Sequence, residues 1–415
     1  MNDRQPVDGR GSDPRWRQVA ACLVLQSVSA GTITSAFSVL AVPFAMEFGA
    51  TRMVVMLAMT ATLLVTAISS PFAGRLLDLV SIRRLMLLGS LALGAGFMAA
   101  SVATTFVQIL IIYAVLLAPA NVLIGPLAAS VLLSRWFDQD RGRALGIAAL
   151  GISLGGFGFP PFIQYLIETV GWRPALQILA SLVFLLSMGA CWMVVDRRAT
   201  PLGAIAGATP QDMPMAMGAI FANREFWLMS LVFGVLLTGM MGLVTNLVPL
   251  AMDRGIPLSM ATLLISALSL GSVAGKVAFA TFADRLASKA ILFFGAGGFL
   301  LGMSCFLVPQ WGFGVMVAGA AIVGFTNGSA VPLQTIVAAR TFGLHNVGRV
   351  VGLLNLTVML VGLFVPPAFG LIRDLTGEYD GAFITYLAFA SIALVVITMM
   401  RGAGGIVTLS SPVAR

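Results

Sequence analysis

The sequence predicts an all-α membrane protein, twelve transmembrane helices in two six-helix halves. Three observations carry that prediction. Hydrophobic residues make up 59% of the chain and charged residues 10%, with a mean hydropathy of +1.00, a balance far from that of soluble domains. Apolar runs long enough to cross a bilayer recur along the whole chain. Landmarks of the first half return in the second at one constant spacing.

Residues 1–16 are polar and rich in proline and glycine, which reads as a disordered tail without a signal peptide. Six spans follow at 17–46, 52–77, 84–104, 106–134, 141–168 and 172–195, forming a first half over 17–195. The segment 196–224, Pro/Gly/Ala-rich in its middle, reads as a linker. Six more spans, at 225–252, 260–283, 288–308, 312–338, 347–372 and 380–400, form a second half over 225–400, and 401–415 is a tail. Twelve crossings put both termini on one face. Nineteen of the 24 Lys and Arg residues lie in the tails and the loops on that face, against four (Arg52, Arg173, Arg254, Arg373) in the opposite loops. This bias predicts cytoplasmic termini, hence a multi-pass protein of the cytoplasmic (inner) membrane. All six tryptophans fall at or near segment ends, as interfacial anchors do.

The net charge of +8 does not point to nucleic acid, because the cations sit at span ends and never form a basic face. Cys22, Cys191 and Cys305 all lie in apolar runs without metal or disulfide spacing, and His345 is the single histidine. No metal site, cofactor or catalytic residue is expected. An enzyme would need a nucleophile and base or metal ligands, and the spans offer none.

The repeat has an offset of 206 residues. Val42-Pro-Phe-Ala-Met-Glu-Phe-Gly49 matches Val248-Pro-Leu-Ala-Met-Asp-Arg-Gly255, and Asp78 matches Asp284. Pro126-Leu127 matches Pro332-Leu333, Gly142-Arg143 matches Gly348-Arg349, Pro160-Pro161 matches Pro366-Pro367, and Gly171 matches Gly377. Parallel halves with a site between them near mid-membrane are a transporter plan, in which one half rocks against the other.

One residue breaks the apolar pattern. Lys276, one of two lysines in the chain, stands eight residues before Asp284, so at about 1.5 Å per residue it lies roughly 12 Å inside its span. An ionisable group there costs several kcal/mol unless it faces a wet cavity or a partner, which marks it as functional. The competing reading is a lysine whose ammonium reaches back to the interface; two turns is a long reach. Asn121, Asn246, Asn327 and Asn355 are amides within spans, candidates for substrate contact or for helix-to-helix hydrogen bonds. Pro126 and Pro332 interrupt corresponding spans, which points to irregular backbone near a cavity.

Gly74-Arg-Leu-Leu-Asp78-Leu-Val-Ser-Ile-Arg83-Arg84 and its second copy Ala280-Thr-Phe-Ala-Asp284-Arg285-Leu-Ala-Ser-Lys289 resemble the cytoplasmic signature of the major facilitator superfamily. A small residue one turn before the carboxylate lets another helix approach, and the carboxylate then faces that helix's positive N-terminus. The resemblance implies that Asp78 and Asp284, with Arg83, Arg84 and Arg285, gate the cytoplasmic side. Leu79, Ser81, Ala280 and Ala287 depart from the family pattern. Arg135-Trp-Phe-Asp-Gln-Asp-Arg141-Gly-Arg143, Gly151-Ile-Ser-Leu-Gly155-Gly156, Gly171-Trp172-Arg173 and Asn246-Leu-Val-Pro249 are similar to the monocarboxylate transporter and oxalate/formate antiporter branch. Those proteins place an arginine that binds the substrate carboxylate where this chain has Lys276. Lysine neutralises a carboxylate as a point charge, without the bidentate fork, and an amine can release its proton. Proton-coupled members carry an aspartate where this chain has Ser272.

The resemblance therefore implies a secondary active transporter of a small organic monocarboxylate, by proton symport or anion exchange, working as a monomer in the lipid bilayer. One central cation suits one carboxylate. An exporter of drugs or other hydrophobic molecules is the alternative, although one handling cations would bury a carboxylate, and no Asp or Glu lies in the central third of any span. A membrane-embedded carboxylate sensor is the alternative of another class.

Overall fold

A computed structural model describes residues 14–137, 140–196, 215–282, 288–308, 311–343 and 346–400, without the side chains of 71, 78, 141, 280 and 348. The described chain is helical, and twelve of its helices are long and apolar enough to cross a membrane. The predicted fold class holds. The spans run Pro14–Phe48, Arg52–Leu79, Ile82–Ser101, Phe106–Ser134, Arg141–Val170 and Trp172–Met193 in the first half. In the second they run Arg224–Asp253, Leu258–Phe282, Ser288–Ser304, Phe313–Phe342, Val347–Thr376 and Asp380–Met399. They are numbered 1 to 12 below. The first begins at Pro14, three residues before its apolar run, and the linker region contains a short helix, Met217–Ala222.

Large aromatic side chains fill the interior of both halves, within one continuous apolar core. Phe37, Phe97 and Tyr113 are fully buried in the first half, and Phe299, Phe306, Phe369 and Phe383 in the second. Lipid is as apolar as these side chains, so close packing rather than water exclusion selects the neighbours. Small residues set the closest approaches. A methyl at Gly155 of span 5 would stand 2.0 Å from the Ser27 carbonyl oxygen of span 1, and one at Gly275 of span 8 would stand 2.0 Å from the Phe325 carbonyl oxygen of span 10.

Several spans are interrupted. Spans 1 and 4 contain π-helical turns, Ala30–Ser35 and Tyr113–Leu117. Span 4 breaks at Gly125 and span 10 at Ser329, so that Pro126 and Pro332 each fall in the first turn of a new helix, where a missing N–H costs nothing. The matched Pro160-Pro161 and Pro366-Pro367 behave differently. The first pair lies inside one continuous helix, whereas the second follows a break between Gly362 and Val365.

The halves meet along spans 1, 2 and 5 on one side and 7, 8 and 11 on the other. Here the repeat has a consequence at atomic scale. Pro161 cannot donate to the carbonyl four residues earlier, Phe157 O, and Pro367 cannot donate to Leu363 O. Ser266 Oγ of span 8 donates to Phe157 O at 2.9 Å, and Thr60 Oγ1 of span 2 donates to Leu363 O at 3.0 Å. All three members of the first set are related to the second by the 206-residue offset. Each half thus fills a carbonyl that a proline of the other half has left open.

The face opposite the termini, the far face, is closed by charge. Asp253 at the end of span 7 accepts from Arg52 of the first half at 2.9 Å and from Arg373 at 2.8 Å. Asp374 accepts from the backbone N–H groups of Arg52 and Met53, at 3.2 and 2.9 Å, and so caps span 2 from the other half. Gly49, Gly255, Gly171 and Gly377 all have positive φ in the far-face turns. These are two repeat-matched pairs in a conformation that a side chain resists.

Candidate functional site

Span 8 carries Lys276, and its neighbours fix where that side chain points. Gly271 and Gly275 press span 8 onto span 10, where a methyl on Gly328 would stand 2.9 Å from the Lys276 backbone nitrogen. With that face committed to span 10, the half-buried Lys276 side chain crosses to the other half. Its Nζ donates to Ser153 Oγ at 2.9 Å and to Ala149 O at 3.1 Å, both on span 5. Ser153 Oγ in turn donates to Ser272 Oγ at 3.3 Å, one turn before Lys276. Among the described residues no carboxylate pairs with Lys276, whose hydrogen-bond partners are all neutral oxygens.

Lys276 also marks the end of a seam. Among the described residues, every hydrogen bond from one half to the other lies at Lys276 and its serines or toward the far face from them: Ser266 to Phe157, Thr60 to Leu363, Ser38 Oγ accepting from Val248 N–H at 3.1 Å, and the Asp253 and Asp374 contacts. Of the hydrogen bonds between described residues of the two halves, those of Lys276 lie furthest toward the terminus side.

The other predicted site residues are more scattered. Asn121 accepts from Ser29 Oγ at 2.6 Å and Asn327 donates to Leu236 O at 3.1 Å, each within its own half. Asn246 is buried and donates to Gly242 O of its own helix, leaving its Oδ1 without a partner. Asn355 is exposed. Arg83 and Arg84 lie in the first turn of span 3, with Arg83 over the Trp192 ring of span 6 at 5.9 Å. Asp78 falls in the last turns of span 2 with its side chain outside the described residues, and Asp284 and Arg285 lie outside them altogether.

Two groups escaped the sequence reading. One is the serine face of spans 5 and 8: Ser153, Ser266 and Ser269, the last so placed that a methyl on Gly156 would stand 2.4 Å from its Oγ. A signal was present, since Thr262, Ser266, Ser269 and Ser272 recur at helical spacing on the way to Lys276. The other is Asp253 with Arg52 and Arg373, which read as interfacial charges until the fold brought the ends of spans 2, 7 and 11 together.

Comparison with known proteins places this architecture. The chain matches the Major Facilitator Superfamily over residues 22–366 and, in a second match, 240–405. It is 27% identical to human monocarboxylate transporter 11 over 89% of this chain and 79% of that protein. It is 25% identical to rat monocarboxylate transporter 13 over 98% and 90%. The mouse monocarboxylate transporter 11 aligns at 28% identity over 62% of this chain and 59% of its own length. Among solved structures, a bacterial homologue of the human lysosomal transporter Spinster superposes with a TM-score of 0.67 at 16% identity, covering 94% of this chain and 95% of that one. A twelve-span repeat, halves that meet along paired spans and family matches over nearly the whole length agree: the chain belongs to the Major Facilitator Superfamily, as a transporter and not an enzyme.

Proposed function

We propose that the protein carries a small organic monocarboxylate across the cytoplasmic membrane, with Lys276 as the anion site. The observation that supports this is an amine six residues, roughly 9 Å, before the end of span 8, with no carboxylate partner among the described residues and bridging the two halves through neutral oxygens. Relatives named as monocarboxylate transporters support the substrate class.

With the termini in the cytoplasm, the described hydrogen bonds between the halves gather at Lys276 and on its outer side, which suits access to Lys276 from the cytoplasm. A carboxylate arriving there is a stronger acceptor than a hydroxyl or a backbone carbonyl, because its hydrogen bond to the ammonium is charge-assisted at both ends. It takes Nζ from Ala149 and Ser153 and so loosens a contact between the halves. The loaded site is neutral overall, which lowers the cost of closing it off from water. Empty, the cation falls back on span 5, or the amine gives up its proton; the first behaviour fits anion exchange and the second proton symport. Asp78 and Asp284, with Arg83, Arg84 and Arg285, would gate the cytoplasmic side, and the carrier would work as a monomer.

Uptake of radiolabelled monocarboxylates into proteoliposomes tests the reading, with and without an imposed proton gradient. Lys276→Gln is expected to lower uptake at sub-saturating substrate about thirtyfold or more, the scale on which a buried charge loses its partner, while Lys276→Arg retains transport. Gradient dependence separates symport from exchange. Normal transport by Lys276→Gln, or no carboxylate moving in the wild type, would remove Lys276 from this role.

A further inference from the structure

A second basic site lies away from the half-to-half seam, at the terminus-side ends of spans 3 and 6. A cleft of about 620 Å³ opens there. Arg83, Arg84 and Trp192 stand at its rim, and Leu87, Leu91 and Met188 line it further along the spans. The lining follows helix geometry: Arg84, Leu87 and Leu91 repeat on one face of span 3, as Met188 and Trp192 do on span 6.

Charge in the cleft is unbalanced. Asp196 is its one carboxylate, and it is committed to the start of span 3, accepting from the Ile82 N–H at 2.9 Å, from the Arg83 N–H at 3.4 Å and from Ser81 Oγ. It serves as a helix cap there. Neither guanidinium is in an ion pair among the described residues; Arg83 leans over the Trp192 ring and Arg84 is exposed. Two cations thus share a rim whose neighbouring acid is already used.

The apolar part fixes the kind of anion. From Arg83 to Leu91 is eight residues, roughly 12 Å along the helix, most of the hydrocarbon depth of one leaflet. Leu91 and Trp192 are 48% and 72% exposed, and among the described residues the main contacts between halves run through other spans, so the cleft faces lipid. A soluble anion would use the rim and leave the groove empty. We propose that this cleft holds an anionic phospholipid, its phosphate between Arg83 and Arg84 and its acyl chain along Leu87, Leu91 and Met188.

Trp192 is a built-in reporter. The wild type and Trp192→Phe are reconstituted in phosphatidylcholine vesicles doped with brominated phosphatidylglycerol or brominated phosphatidylcholine, and the difference between the two proteins isolates quenching of Trp192. Brominated phosphatidylglycerol is expected to be favoured about thirtyfold, the factor two interfacial arginines supply at about 1 kcal/mol each. The preference should vanish in Arg83→Gln/Arg84→Gln, persist in Arg83→Lys/Arg84→Lys, and resist competition by soluble glycerol phosphate. Should the glutamine variant fail to fold, salt decides on the wild type, because a surface charge preference collapses as the Debye length shrinks. Equal quenching by the two lipids, a preference that survives Arg83→Gln/Arg84→Gln or high salt, or displacement by glycerol phosphate would each overturn the proposal.

Discussion

At Lys276 the electrostatic balance turns on one position of span 5. Ser153 Oγ is 2.9 Å from the ammonium, so a carboxylate at that position would reach it, pair with it and leave nothing for a substrate anion. Ser153→Asp is therefore expected to lower monocarboxylate uptake at sub-saturating substrate as far as Lys276→Gln does, about thirtyfold or more. Ser153→Ala removes the hydroxyl that accepts from the ammonium and donates to Ser272 but adds no counter-charge; with a bond to a charged group worth about 1.5–3 kcal/mol, transport should persist with an apparent KM changed by no more than roughly a hundredfold. Concentration-dependent uptake by the two variants checks this; an active Ser153→Asp protein would mean that the ammonium has moved off span 5 during transport. Lys276 was legible in the sequence because a charge in an apolar run has no cheap explanation. Ser153 was not, because a serine satisfies itself on its own helix anywhere. The amides show the same limit. Each residue turns a helix by about 100 degrees, and sequence position alone does not say whether Asn121 faces a cavity or, as it does, Ser29 of the adjacent span.

Elements were more legible than contacts. Twelve apolar runs became twelve spans, and Pro126 and Pro332 marked two of the interrupted ones, because a bilayer admits few alternatives to a helix with its own hydrogen bonds. What escaped was the difference between matched elements, such as the unbroken span 5 and the broken span 11, since the proline pairs are identical and the surroundings decide. Which glycines serve packing is equally a property of pairs of helices. Gly155 and Gly158 are one turn apart in span 5, yet a methyl at Gly155 would meet Ser27 O at 2.0 Å whereas one at Gly158 meets nothing within 4 Å. Gly155→Ala is expected to destabilise the folded protein by about 1–3 kcal/mol through forced separation of spans 1 and 5. Gly158→Ala should be neutral or slightly stabilising, as alanine outranks glycine in a helix. Thermal unfolding in detergent compares them directly, and equal melting temperatures would show that span 1 yields.

For the whole molecule, pseudo-symmetry and its violation divide the labour. The 206-residue offset relates Thr60, Leu363 and Pro367 to Ser266, Phe157 and Pro161, so the two halves grip each other through equivalent bonds. The same offset carries Lys276 onto Ser70, and the cation exists in one half alone. The symmetric bonds belong to the seam, which rocking must open and reform, whereas the single cation sits where that seam ends. If so, weakening the seam should shift the resting population without touching Lys276. Thr60→Val/Ser266→Ala removes both proline-freed acceptors' partners, and Asp253→Asn weakens the charge bridge between Arg52 and Arg373. At about 1 kcal/mol for each neutral bond, the double variant should move the closed-to-open ratio at the far face by roughly thirtyfold if the two bonds add. Spin labels on cysteines replacing Met46 and Leu375, both highly exposed near the far face in opposite halves, report that distance. Cys22 and Cys191 are buried, so only Cys305 needs replacing first. A longer label-to-label distance is expected in both variants, and uptake in the double variant should change in rate while half-saturation stays near the wild-type value. An unchanged distance distribution would mean that the far face is held by packing, such as Gly370 against the Met53 backbone, and that the symmetric hydrogen bonds merely satisfy the carbonyls the prolines leave open.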